Sequence, residues 1–307
     1  MGLEEFVTVV VCPSNGTPYD ELDRVDEIRE AYLSIARDFT AGNVDLFEIP
    51  FDIPPEKIAR EVADRIANKK FLLISLRHSD IAYCHNNSDT ALITFDRHID
   101  SKGHKFSPRG FLDRRKGDVY VIGSNKQPKS PRIRVCSPYD VEIMLDVPNG
   151  IQREILKAPG SKFLLSLDVD VFDPEITNGF YRTPPALLER LVMASDRRGW
   201  TDWRPKVYLT PMEVIEFSRE LVYNGELMGI HIAGYDPAKD LIEPEKPTQS
   251  VRLVPRNAVK IADRASIISQ SHGLPLYNSK GESELKRYLD QIRQALSVIE
   301  QIKFYRN

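Results

Sequence analysis

The 307-residue chain has few cysteines, almost no net charge and no long apolar run. Its three cysteines, Cys12, Cys84 and Cys136, show no paired spacing. That sets aside a disulfide framework and suits ordinary thiols in a reducing compartment. Cys12 and Cys136 fall in strand-like runs, where cysteine serves as a small buried hydrophobe. The 42 lysines and arginines against 45 acidic residues leave a formal net charge of −3, so nothing in the balance calls for nucleic acid. No apolar stretch approaches the roughly 20 residues that cross a bilayer. The start, Met1-Gly2-Leu3-Glu4-Glu5, lacks the basic region and apolar core of a secretion signal. A cytoplasmic protein with no nucleic-acid or membrane partner is expected. No internal repeat or low-complexity segment stands out.

What the chain does have is alternation of strand and helix. Phe6 to Val11 is a β-branched run closed by Pro13 and the Ser14-Asn15-Gly16 turn. A helix from about Asp20 to Phe39 follows, with Leu22, Val25, Ile28, Tyr32 and Ile35 as its buried stripe. Val44 to Ile49 is a strand. Pro54-Pro55-Glu56 opens a helix that turns Ile58, Val62 and Ile66 inward. Further strands are expected at Phe71, Ala91, Val119, Ile133, Phe163 and Leu227, with a mixed region after Cys136 and a helix from Ala186 to about Arg197. Thr210-Pro211-Met212-Glu213 reads as a capping box with proline in the first turn. Such alternation predicts a parallel sheet with right-handed crossovers.

Chemistry concentrates at three strand ends. Ala91-Leu92-Ile93-Thr94-Phe95 runs into Asp96-Arg97-His98-Ile99-Asp100. If the extended conformation continues, Asp96, His98 and Asp100 leave one face. Phe163-Leu164-Leu165-Ser166-Leu167 runs in the same way into Asp168-Val169-Asp170, and Phe71-Leu72-Leu73-Ile74-Ser75 into Leu76-Arg77-His78-Ser79. Sites in open parallel sheets assemble outside the carboxyl ends of strands. Clustered carboxylates repel one another, and divalent cations would neutralise them.

At these residues the sequence resembles the ureohydrolase superfamily of arginases, agmatinases and formiminoglutamases. Its signatures Gly-Gly-Asp-His-Ser, Asp-Ala-His-x-Asp and Ser-x-Asp-x-Asp-x-x-Asp-Pro correspond to Ser75 to Ser79, Asp96 to Asp100 and Ser166 to Pro174. A strand ending in Glu-Val-Asn-Pro corresponds to Ile230 through Pro237. The resemblance covers roughly residues 70 to 240. It implies a three-layer α/β fold, a mostly parallel open sheet with helices on both faces. One domain over 1–307 is expected, with a core over about 1–240 and an extension over about 241–307. It also implies two divalent ions, most plausibly Mn²⁺. Asp96 and Asp168 would bridge them, His78 and Asp100 would serve one, and His98 and Asp170 the other. The implied reaction is hydrolysis of a C–N bond in a guanidino, formimino or related linear amidine compound. A small-molecule substrate and self-association of the chain go with it.

Several features depart from the pattern. The family glutamate that holds a guanidinium aligns with Gly234. Arg77 and Arg97 stand where an aspartate and a small residue are usual, so arginine and agmatine are poor candidates for substrate. The Gly-Thr-Gly-Thr-Pro loop is absent between Asn178 and Val207. The family's proton-shuttling histidine, carried in a His-Gly-x-Pro stretch, has no counterpart in place; His104, His231 and His272 are the candidates, the last within Ser271-His272-Gly273-Leu274-Pro275. Two other classes stay open: a deacetylase-like amide hydrolase using one metal, and a metal-binding member that has lost catalysis. Elsewhere, His85 is expected to be an exposed loop residue. The basic stretch from Lys102 to Lys116 is expected to be solvated, with an anion-holding role as its alternative. A helix from Ser283 to about Tyr305 carries Leu285, Leu289, Ile292, Leu296 and Ile299 in steps of four and three. It is expected to pack on the protein's own sheet, with a subunit contact as the alternative.

Overall fold

A computed structural model describes residues 5–13, 25–39, 44–49, 53–99, 110–126, 128, 130–147, 149–156, 160–172, 208–235 and 280–306. Eight strands form one sheet: β1 (Phe6–Pro13), β2 (Val44–Ile49), β3 (Lys70–Ser75), β4 (Thr90–Phe95), β5 (Val119–Ile122), β6 (Ile133–Cys136), β7 (Lys162–Asp168) and β8 (Glu226–Ala233). Their order is β2-β1-β3-β8-β7-β4-β5-β6, and every ladder is parallel. The central strands read as unbroken apolar runs because both of their faces are covered. Phe71, Leu72, Leu73 and Ile74 are all fully buried, as are Phe163, Leu164 and Leu165.

Helices cover both faces, as expected. On one side lie α1 (Val25–Phe39), α3 (Pro138–Asp146), α4 (Pro211–Asn224) and α5 (Lys280–Arg306), sharing a core with Leu72, Ile74, Ile93, Phe95 and Leu165. On the other lie α2 (Pro55–Ile66) and a short 3-10 turn, His78–Ile81, packed with Val9, Leu73, Leu92 and Leu164. Helix α5 packs on α4 and α1 within the same chain. Its Leu285, Leu289 and Ile292 are buried, each contributing ~1.5–3 kcal/mol as an apolar side chain removed from water. The heptad-like spacing therefore serves an intramolecular seam.

Helix α3 occupies what the sequence reading treats as a mixed region. Its signal is local: Ser137 Oγ accepts from Asp140 N–H at 3.2 Å, and the Asp140 carboxylate accepts from Ser137 N–H at 2.7 Å. Aspartate rather than glutamate closes this capping box, with Pro138 in the first turn. The expected box of α4, Thr210 with Glu213, forms as read. The expected helix at 186–197 lies outside the described residues, as does the start of α1 before Val25.

Strands β3 and β4 are separated in the sheet by β8 and β7, so residues 76–89 must cross the sheet from the carboxyl end of one to the amino end of the other. They do so as a 3-10 turn followed by irregular turns, which leaves backbone carbonyls without helical partners. Arg115 supplies the missing donors. Its guanidinium donates to the carbonyls of Cys84 at 2.6 Å, His85 at 3.1 Å and Ala82 at 3.4 Å. Burial pulls its pKa down to about 10, which still leaves it charged at neutral pH. Arg115 is thus a buried clamp, not part of a solvated basic loop. His85 is likewise buried, not exposed. Its Nε2 lies 2.8 Å from the Lys69 carbonyl, and its ring stacks on Phe71 with centroids 5.8 Å apart.

Candidate metal centre

Strands β4 and β7 are neighbours in matched register, with Phe95 opposite Leu167. The next residue of each is an aspartate that bends the chain in the same way. Asp96 Oδ1 accepts the His98 N–H at 2.6 Å, and Asp168 Oδ1 accepts the Asp170 N–H at 3.2 Å. The alternation of polar residues here is not a continued strand. It is a pair of side-chain-to-backbone turns, the local alternative that short acidic side chains offer the backbone. Both turns still deliver residues i and i+2 to the same place.

His78, at the start of the 3-10 turn after β3, completes the group. Its Nδ1 lies 3.2 Å from Asp96 Oδ2 and 3.5 Å from Asp168 Oδ2. His98 Nδ1 lies 2.7 Å from Asp170 Oδ2 and 3.7 Å from Asp96 Oδ1. Two triads result, His78–Asp96–Asp168 and Asp96–His98–Asp170, each with ligand atoms within 4.8 Å of one another. Asp96 belongs to both. The first triad is deeply set, with the His78 and Asp96 side chains 4% and 1% exposed; His98, at 35%, faces out.

Electrostatics mark the cluster as short of positive charge. Burial, and then the nearby charges of Asp170 and Asp96, push the Asp168 carboxyl well above the usual carboxylate range. Burial pushes Asp170 up too, but its hydrogen bond to His98 and that ring's charge bring it below the ordinary value. The same hydrogen bond raises His98. Among the described residues, Asp170 Oδ1 is buried with no hydrogen-bond partner. Carboxylate oxygens with two imidazole nitrogens form a hard oxygen/nitrogen donor set, and it fits a divalent cation.

Beneath the carboxylates runs a row of buried polar side chains in register across three strands. Thr94 of β4 stands opposite Ser166 of β7, and Ser166 opposite His231 of β8. His78 Nε2 lies 2.8 Å from Thr94 Oγ1 and 3.0 Å from Ser166 Oγ. His231 is fully buried, with Nδ1 3.0 Å from Ser166 Oγ and Nε2 2.9 Å from Ser75 Oγ. Sequence reasoning missed Ser75, Thr94 and Ser166 as site residues. The available signal was a hydroxyl two residues before each strand-end aspartate of β4 and β7, on the same face.

Among the residues singled out from sequence, His78, Asp96, His98, Asp168 and Asp170 come together, and His231 lies just below them. Asp100, His104 and His272 lie outside the described residues. The arginines that departed from the pattern are engaged. Arg77 is buried and donates to Asp80 Oδ1 at 2.7 Å, so its charge is met within the turn. Arg97 donates to the Tyr208 hydroxyl at 3.0 Å, with the ring 5.3 Å away, and among the described residues it makes no ion pair with a carboxylate. Gly234 sits at φ +77°, and a Cβ there would stand 3.0 Å from Asp168 Oδ1.

No protein-family model and no curated protein matches the chain. Solved structures do. The agmatine ureohydrolase of Thermoplasma volcanium aligns over 88% of this chain and 92% of its own at 18% identity, with a TM-score of 0.51. A hypothetical agmatinase from Burkholderia thailandensis aligns over 95% and 87% at 15% identity, TM-score 0.54. Entamoeba histolytica arginase, solved in complex with L-ornithine, aligns over 87% and 99% at 14% identity, TM-score 0.51. The chain shares the fold of these solved structures. The resemblance read from its strand-end motifs is borne out at the level of fold, and the three-layer parallel α/β architecture with it.

Proposed function

We propose that this protein is a binuclear-metal hydrolase that cleaves a C–N bond in a guanidino, formimino or related linear amidine compound other than plain arginine or agmatine. The observation that carries this reading is the pair of His/Asp triads joined through Asp96. Asp96 and Asp168 would hold both ions, His78 one, and His98 with Asp170 the other; Asp100 is assigned to the first by motif alone. Mn²⁺ suits such a carboxylate-rich donor set. A divalent pair bound there supplies an activated water at neutral pH and positive charge against the charge that develops in the cleaved group. The second triad argues against a single-metal deacetylase-like site.

The chain's own residues restrict the substrate. Gly234 offers no carboxylate to a guanidinium. Its left-handed backbone strains any side chain placed there. Arg97 stands close enough to favour the ionised Asp170 carboxylate and to disfavour a charged His98. A neutral or acidic substrate suits that wall. The expected outcome is about two Mn²⁺ per chain, as in two-metal hydrolase sites, with both lost in Asp96→Asn. Metal content by elemental analysis and release of urea, ammonia or formamide from guanidino acids, formimino compounds and amides test this. A wild-type protein that binds no divalent ion, or efficient hydrolysis of arginine, would overturn the reading.

A further inference from the structure

We infer that Ser75, His231 and Ser166 form a proton-ordered relay that fixes the His78 ring with its proton on Nε2, leaving the Nδ1 lone pair directed at the carboxylates where a metal would bind. The inference rests on the metal-centre reading above and extends it to residues that touch no ligand atom of the cluster. It makes His231 a positioning residue, distinct from the proton-shuttling role considered for it from sequence.

The direction of each hydrogen bond follows from counting protons. Ser75 has one hydroxyl proton. It donates to the carbonyl oxygen of Arg77 at 3.0 Å, a group that can only accept. Ser75 Oγ therefore accepts from His231 Nε2, 2.9 Å away. With its proton on Nε2, the neutral His231 ring has an acceptor at Nδ1. Ser166 Oγ, 3.0 Å from that nitrogen, must then donate to it. Its single proton is now committed, so Ser166 Oγ accepts from His78 Nε2 at 3.0 Å. Thr94 Oγ1, at 2.8 Å from the same nitrogen, shares that proton. What remains on His78 is Nδ1, 3.2 Å from Asp96 Oδ2 and 3.5 Å from Asp168 Oδ2.

The alternative order is disfavoured at its Ser75 end and blocks the metal position at its other end. Were His231 protonated on Nδ1 instead, Nε2 would need a proton from Ser75, and the Arg77 carbonyl would keep only its bond from the Asp80 N–H. Ser166 would also have to accept from His231, freeing its hydroxyl proton to point at His78 Nε2. His78 would then carry its proton on Nδ1, where it could donate to the Asp96 and Asp168 carboxylates but would take the position of a metal. Complete burial favours the neutral His231 ring, since a charged imidazole would lose its hydration there. A protonated His231 would donate at both nitrogens and break the sequence of donors. Ser75, Thr94, Ser166 and His231 are all fully buried, so bulk solvent does not reach the arrangement. Ligating histidines commonly have the second ring nitrogen held by a hydrogen-bond partner, which sets tautomer and orientation. Here two hydroxyls, Thr94 and Ser166, share that role, and the direction of the second is dictated by Ser75 through His231.

The test reads tautomers and metal affinity, not turnover. In ¹⁵N-histidine-labelled, metal-free wild-type protein at neutral pH, NMR should show His231 with a protonated Nε2 and an unprotonated Nδ1, and His78 with a protonated Nε2. A protonated His231 Nδ1, or a His78 Nε2 without a proton, would overturn the relay whether or not metal binds. For affinity, free Mn²⁺ is followed by its EPR signal during titration. Ser166→Ala should weaken binding about 10- to 100-fold, the usual range for an outer partner of a ligating histidine. Ser75→Ala should weaken it less, because Ser166 still reaches His78 while His231 gains freedom to reverse. Circular dichroism and urea unfolding establish that each variant is folded. A purely structural role would move the unfolding midpoint and leave the Mn²⁺ affinity of the folded protein unchanged, and that result would reject the proposal. Should His231→Phe fail to fold, the two serine variants and the wild-type NMR measurement decide. Absence of Mn²⁺ binding by wild type would remove the metal-centre reading, and the NMR result would still accept or reject the relay.

Discussion

Replacing Asp168 by asparagine should make the metal-free protein more stable while removing its response to metal. The reason lies in the crowding of charge. Asp168 and Asp96 place ligand oxygens within 4.8 Å. Two unit charges at that separation repel by roughly 3.5 kcal/mol at an effective dielectric of about 20. His78 close by opposes this, and 21% exposure of the Asp168 side chain lets solvent screen it further. A net relief of about 1–3 kcal/mol at neutral pH is what remains once those offsets are taken. Asparagine keeps the carbonyl oxygen that accepts the Asp170 N–H, so the turn after β7 survives the exchange.

The pH dependence follows from the direction of the shift. Asp168 is raised above its unfolded value by burial and by the neighbouring carboxylates. A group raised on folding contributes fully below the unfolded pKa, and that contribution is lost as pH rises through the folded value. Metal-free wild type therefore falls behind the asparagine variant as pH rises toward neutrality, and the two converge toward about pH 4, the unfolded carboxylate range. Urea unfolding of chelator-treated proteins between these limits, with and without Mn²⁺, measures both effects. Saturating metal should raise wild type by about 2.7 kcal/mol at a hundredfold excess over Kd, and the variant by far less. A variant less stable than wild type without metal, yet equally stabilised by Mn²⁺, would refute the reasoning.

Two further outcomes are expected. Gly234→Ala should destabilise by about 1–2 kcal/mol because of its left-handed backbone. It should also weaken Mn²⁺ binding, because the new Cβ presses on Asp168 Oδ1; titration calorimetry and urea unfolding of the variant check both. Arg115→Met should cost about 3 kcal/mol or more in urea unfolding, since three buried carbonyls lose a charged donor; an unchanged midpoint would show that water replaces it.

The strands were legible because their signal is local. Val44–Ile49, Val119–Ile122 and Ile133–Cys136 have the bounds their apolar runs predict. The strand-end aspartates were legible for the same reason, although the physical cause differs from the one inferred. Alternation suggested continued extension, whereas each aspartate instead folds the chain onto its own i+2 amide. Both geometries bring residues i and i+2 to one side, so the reading survived a wrong intermediate step. Helix α3 was missed because a nine-residue element with one buried stripe carries little periodicity, and its capping box uses aspartate. His85 and Arg115 were misread because burial is a tertiary fact. They lie in turns between elements, and only the folded crossing of residues 76–89, held to Arg115, buries them.

Charge is where sequence and structure differ most. Counted along the chain, Arg77 and Arg97 add two positive charges beside the ligands. In the fold, Asp80 neutralises Arg77 at 2.7 Å, and Tyr208 takes one arm of Arg97. The two side chains meet within one buried turn, so this pair offers little charge to its surroundings. Among the described residues, the carboxylates of Asp96, Asp168 and Asp170 then share two imidazoles and the nearby charge of Arg97, and Asp170 draws His98 toward the charged form. Three acidic groups crowded together, most of them buried, is an arrangement that a folded chain does not favour for its own stability. The departures that weakened a guanidinium substrate leave this excess of negative charge in place. A cation is what the cluster lacks, and the outward-facing His98 marks the side from which one can enter.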